Sequence, residues 1–136
     1  MPVRTAKCLV TLSIGLLVGI VAFNNITDYT INLQFVRHVL SMDSIPSAAS
    51  IVGRAIEAPW VHHAAYVLVI VAEAATALLC FGGAWRMWTA RRAMPEAFQQ
   101  AAGLAIHGLT LGAVLFVAGF LAIAGEWFGM WMAQEW

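Results

Sequence analysis

Three long apolar runs separated by polar stretches set the outline of the chain. Residues 8–23 form the first, 64–85 the second and 101–125 the third, against the ~20 apolar residues that cross a bilayer as a helix. The first is short, but Lys7 can snorkel and the preceding residues can extend it, giving a span of about 5–23. No small-x-small cleavage site closes it, so it reads as a retained span and not as a removed signal segment. Glu73 alone interrupts the second run, and Trp60, Trp85 and Trp88 bracket it as interfacial aromatics. The third carries His107 and is long enough to cross with some tilt.

The pattern changes at residue 24. Over residues 29–42, Leu33, Val36 and Leu40 share one helical stripe with Phe35, Val39 and Met42 beside it, while Thr30, Gln34, Arg37 and Ser41 lie opposite. This spacing predicts an amphipathic helix, N-capped by Thr27 or Asp28, lying flat on a bilayer or against other helices. Ser44, Pro46 and Ser47 make a turn, and residues 48–57 predict a further short helix stopped by Pro59. Residues 24–63 therefore form a partly helical external cap, residues 86–100 a short polar loop, and Glu126 onward an interfacial aromatic tail.

Composition agrees with this outline and removes whole classes of function. The chain is 62% hydrophobic and 10% charged, against about 25% charged residues in soluble domains. The fold expected is a single all-α integral membrane domain over residues 1–136, with three transmembrane helices. A formal net charge of zero, with no basic run beyond Arg91 and Arg92, excludes a nucleic-acid partner. Phosphate-cradling glycine loops, Cys-x-x-Cys, His-Glu-x-x-His and Gly-x-Ser-x-Gly are all absent, so the chain is expected not to be an enzyme by itself. Arg4, Lys7, Arg86, Arg91 and Arg92 flank one side of the spans, and only Arg37 and Arg54 the other. That bias places the N-terminus and the 86–100 loop in the cytoplasm, and the cap and C-terminus in the periplasm, of a multi-pass protein of the bacterial inner membrane. Cys8 and Cys80 are then expected as free thiols at the cytoplasmic ends of their helices.

The motifs Asn25-x-Thr27-Asp28-Tyr29, Phe35-Val36-x-His38-Val39-x-x-Met42-Asp43, Ala65-Tyr66, Glu73 and Gly125-Glu126-Trp127-Phe128-x-Met130-Trp131 occur in this order. From about residue 24 onward the chain resembles the domain-of-unknown-function 2165 family of predicted small bacterial integral membrane proteins. The resemblance implies a membrane protein and brings no established activity with it.

Glu73 is the sharpest chemical signal, because an ionised carboxylate within a span costs at least ~2.5 kcal/mol. With Thr76, Ala77 and Cys80 it forms a small, weakly polar stripe suited to a helix contact, a proton relay or a quinone contact. His107 is a candidate haem ligand or relay residue, but a second axial histidine at matching depth is missing. His38, Met42, His62, His63, Met130 and Met132 are copper-type ligands without a fixing geometry, and they read more simply as packed methionines and interfacial histidines. No metal or cofactor is therefore assigned, with haem, quinone and copper as the alternatives weighed. Gly15 and Gly19, and Gly108 and Gly112, form two GxxxG patterns that let helices approach closely, pairing the first and third spans or meeting a partner.

The function expected is a non-catalytic accessory or scaffold subunit of a larger membrane-protein complex, or a homo-oligomer, docking through the small-residue faces and the cap. Alternatives are a quinone- or haem-contacting anchor of an oxidoreductase, and a small oligomeric transporter or channel using Glu73. Cap contacts are expected at Asn25, Asp28, Asn32, Arg37, His38, Asp43, Glu126 and Trp127. In particular, Glu126 is expected to bond to Asn25, Asn32, Arg37 or His38, with Trp127 and Phe128 covering the apolar side of the cap helix. Loss of Glu126 should then loosen the cap more than loss of Glu135 in the tail.

Overall fold

The structure, a computed structural model, describes residues 1–134; Glu135 lies outside the described residues. Helix α1 runs Pro2–Thr27, α2 Tyr29–Ser41, α3 Pro59–Thr89, α4 Pro95–Ala101 and α5 Gly103–Ala113. From α5 the chain continues without a break as a π-helix over Val114–Trp127. Three helices, Pro2–Thr27, Pro59–Thr89 and Gly103–Trp127, are long and apolar enough to cross a membrane. Each extends beyond its apolar run at one end or both, because the interfacial turns keep their backbone hydrogen bonds inside the helix.

Helix α3 is the centre of the bundle, with α1 on one side and α5 on the other. A Cβ built on Gly15 would stand 3.0 Å from Cys80 Cβ, and one on Gly19 3.5 Å from Ala77 Cβ. On the opposite seam, Gly108 meets the backbone and side chain of Cys80, and Gly112 meets Thr76. Both GxxxG pairs are thus consumed against α3, which separates the first and third spans. Gly83, outside both GxxxG pairs, makes the tightest approach between spans: a Cβ there would lie 2.4 Å from the backbone nitrogen of Ala105.

This register corrects one expected depth. Cys80 lies beside Gly15, halfway along α1, and not at a helix end. Glu73 lies level with Asn25, where α1 turns polar, although it is central within α3 itself. Helix α3 begins well beyond the end of α1, and its first turns rise into the cap.

On the other side of the bundle, Cys8, Met87, Phe98 and Ala105 form a small buried cluster that seats α4. Arg4 closes it: its guanidinium lies 4.9 Å from the Phe98 ring centroid and donates to the carbonyls of Arg91 and Ala93 at 3.2 and 2.7 Å.

The cap follows the amphipathic pattern in part. Helix α2 has Asp28 at its N-cap, but no side-chain capping bond forms; the Asp28 carbonyl accepts the Asn32 N–H at 3.0 Å. The α2 C-cap is Met42 in the left-handed region at φ 53°, a strained position for a side-chain-bearing residue, held by its near-complete burial. The helix expected over residues 48–57 is only a 3₁₀ turn at Val52–Arg54. Pro59 does not stop a helix there. It starts α3, its fixed φ and missing N–H suiting the first turn.

Winding also decides where the third span points its side chains. The Phe128 N–H bonds the Ile123 carbonyl, five residues back, at 3.0 Å. Leu115, Gly119, Ala124 and Phe128, separated by steps of four and five, consequently line one groove against α2 and α3. As an α-helix the 25-residue span would be about 37 Å long. The wider winding, with its smaller rise per residue, brings it closer to the ~30 Å hydrocarbon core.

Candidate functional site

A polar junction forms where α1 ends, α2 begins and α3 packs beside both. Glu73 is fully buried, and its Oε2 accepts the Asn25 side-chain N–H at 2.8 Å. The Tyr66 hydroxyl donates to the Asn25 backbone carbonyl at 2.9 Å, so both ends of Asn25 are held by α3. Tyr66 lies two turns before Glu73 on the same α3 face, and its ring centroid is 4.9 Å from that of Tyr29 on α2. The Tyr29 hydroxyl in turn shares a hydrogen bond of 2.9 Å with His63 Nδ1. Asn32 Nδ2 donates to the Asn24 carbonyl at 3.3 Å, tying α2 back to the end of α1.

Chemically the hydrogen bonds of the junction act as a latch between α1 and α3. Asn25 presents an amide N–H to Glu73 and a backbone carbonyl to Tyr66, and neither group passes a proton onward in that arrangement. Glu73 Oε1 and Thr76 Oγ1, one turn apart, are buried without a hydrogen-bond partner within the described residues. No metal-holding group of three or more His, Cys, Asp or Glu side chains occurs among the described residues.

Histidines of the cap are each engaged locally. His38 Nδ1 contacts both carboxylate oxygens of Asp43, at 2.7 and 2.9 Å. Buried His62 donates from Nε2 to the Ile56 carbonyl at 2.7 Å. His107 is different: it is exposed on the outward face of α5 and makes no hydrogen bond among the described residues.

Other expected cap residues are dispersed. Asp28 and Arg37 are exposed. Glu126 is exposed too, and it neither hydrogen-bonds nor ion-pairs with Asn25, Asn32, Arg37, His38 or any other described residue. The π winding is the reason. Eleven residues after Leu115, an α-helix would have completed about three turns and returned Glu126 to the inner stripe. At about 4.4 residues per turn it completes two and a half, and Glu126 faces away. Trp127 is held from the cap by Arg54, whose guanidinium lies 4.2 Å from the ring centroid and donates to the Trp127 carbonyl at 3.0 Å. Phe128 is buried against the apolar face of α2, where with Phe35 and Val39 it lines a groove of about 240 Å³.

The sequence named Tyr66 only within a family motif, His63 only as a copper-type ligand and Arg54 only as a flanking charge, with none of the contacts they make. Tyr66 was within reach of it, since the Glu73 stripe extends back by seven residues to that position; Arg54 and His63 are joined to their partners only by the tertiary fold.

No curated protein and no solved structure matches the chain. The family described as "Predicted small integral membrane protein (DUF2165)" matches residues 3–136, taking in α1 as well as the motifs that follow it. With three apolar helices of spanning length and a family match over nearly its whole length, the chain belongs to this family of small integral membrane proteins.

Proposed function

We propose that the protein is a non-catalytic accessory subunit of a bacterial inner-membrane complex, docking through the outward face of its third span. What carries this reading is His107 with Thr110. The two are neighbours on one helix face, exposed, and without hydrogen-bond partners among the described residues. Polar side chains facing lipid are costly, and a partner helix that hydrogen-bonds them removes that cost. Directly beyond them the face hollows into a shallow depression of about 600 Å³, where Thr110, Ala113 and Ala118 leave room between Ile106, Val114 and Val117. The four GxxxG glycines are occupied within the chain and are not the docking surface of this reading.

Mild-detergent purification from native membranes, with mass spectrometry of co-eluting chains, tests it. The wild type should carry a reproducible partner, and filling the hollow by Ala113→Leu with Ala118→Leu should release that partner while the bundle stays folded. A chain that always runs as a lone monomer refutes the proposal. Self-association alone would replace it with a homo-oligomer.

A second reading is favoured by one observation, the unpartnered Glu73 Oε1 and Thr76 Oγ1. It makes Glu73 a proton- or quinone-contacting group in a larger assembly. Unchanged proton flux in liposomes and unchanged quinone reactivity in Glu73→Gln would dismiss it.

A further inference from the structure

On the polar side of α2 lies a cavity of about 440 Å³ that the accessory-subunit reading does not use. Arg37 and Glu57 both line it, with Thr30, Gln34, His62 and His63. Neither Arg37 nor Glu57 makes a hydrogen bond or ion pair among the described residues, although they share one cavity and carry opposite charge. Its height in the bundle is set by the first turn of α3, just outside the apolar run of residues 64–85, where exposed Trp60 marks an interfacial position. The opening therefore meets lipid headgroups and not hydrocarbon.

We infer that this cavity binds the phosphoethanolamine headgroup of a membrane lipid, with Arg37 on the phosphate and Glu57 on the primary ammonium. The inference rests on charge complementarity at fixed depth. A purely anionic headgroup would leave Glu57 facing a like charge, and a choline headgroup offers Glu57 a quaternary nitrogen with no N–H to donate. A primary ammonium donates to the carboxylate, while the Arg37 guanidinium matches the phosphate oxygens with its forked donors.

The histidines complete the donor set. His62 Nε2 is spent on the Ile56 carbonyl. When the Tyr29 hydroxyl donates to His63 Nδ1, the hydrogen of His63 stands on Nε2, free to donate to a phosphate oxygen. Thr30 and Gln34 line the wall on α2 one turn apart, offering a hydroxyl and an amide.

Native mass spectrometry of the full chain in detergent, titrated with phosphatidylethanolamine, phosphatidylcholine and phosphatidylglycerol of identical acyl chains, tests the inference. Retention of the ethanolamine lipid should exceed that of the other two by roughly tenfold. Glu57→Gln should abolish the preference over choline and leave glycerol-lipid retention unchanged or higher, whereas Arg37→Gln should weaken all three. Both residues are exposed, and circular dichroism with thermal melts verifies that each variant is folded. Equal retention of the three lipids by wild type, or a preference that survives Glu57→Gln, overturns the inference. Soluble O-phosphoethanolamine at millimolar concentration should displace the lipid only weakly. If it binds as tightly as the lipid, the site serves a soluble compound and the lipid assignment fails.

Discussion

The two seams along α3 are held by different means. Against α5 the helices touch backbone to backbone: Gly83 leaves no room beside Ala105, and Gly108 none beside Cys80. Against α1 the approach is looser, with 3.0 Å at Gly15 and 3.5 Å at Gly19, and the Asn25–Glu73 hydrogen bond fixes the end of that seam. Inside a membrane, where apolar contact with lipid is as good as contact with leucine, these are the available devices. Close backbone approach gives many dispersion contacts but tolerates no added atom. A polar pair gives register and tolerates changes around it.

The comparison breaks first at the tighter seam. Gly83→Ala should destabilise the bundle by about 3 kcal/mol or more, since its Cβ would meet backbone and not a movable side chain. Thermal unfolding in detergent reads this, and a loss below that of Gly19→Ala would invert the proposed order of the seams. Next comes the polar pair. Glu73→Ala should cost about 1–3 kcal/mol because it leaves the Asn25 amide without its acceptor. A double-mutant cycle with Asn25→Ala should return a coupling of about 0.6–1.7 kcal/mol, the range for hydrogen bonds between membrane helices. A coupling near zero would mean that the bond does not hold the seam.

Smaller effects sharpen the contrast. Gly19→Ala adds a methyl at ordinary contact distance and removes a flexible residue from a helix, so it should be neutral or stabilising by up to about 1 kcal/mol. A clear loss would show that the α1 seam is as intolerant as the other. Glu126→Ala should change stability by less than about 0.5 kcal/mol, as for an exposed side chain without a partner among the described residues. A larger loss would restore the cap contact that the sequence suggested and would contradict the π winding.

Part of this architecture was legible in the residues. The apolar stripe of α2 was read as Leu33, Val36 and Leu40 flanked by Phe35, Val39 and Met42; Phe35, Val36, Val39 and Leu40 line the groove against the third span, whereas Leu33 lines the cavity on the other side of α2. Small residues around Glu73 marked a helix contact, and Thr76, Ala77 and Cys80 do meet glycines of α1 or α5. The short helix over residues 48–57 failed because composition permits a helix there, but only a 3₁₀ turn forms between α2 and α3, where Ile56 N–H bonds the Leu40 carbonyl. Glu126 failed because a 3.6-residue period was carried through a segment wound more widely.

The sequence by itself determined the three apolar spans, their order and the amphipathic break after the first. Those features depend on local hydrophobicity and on the need to satisfy backbone groups within each helix. Only the tertiary structure decided that α3 is central, that Glu73 meets Asn25 at the polar end of α1, and which way Glu126 points. These depend on how far helices slide along one another and how tightly each is wound. Both are set by contacts between small residues distant in sequence, Gly83 with Ala105 and Gly15 with Cys80 among them, so a periodicity read along one helix cannot fix them.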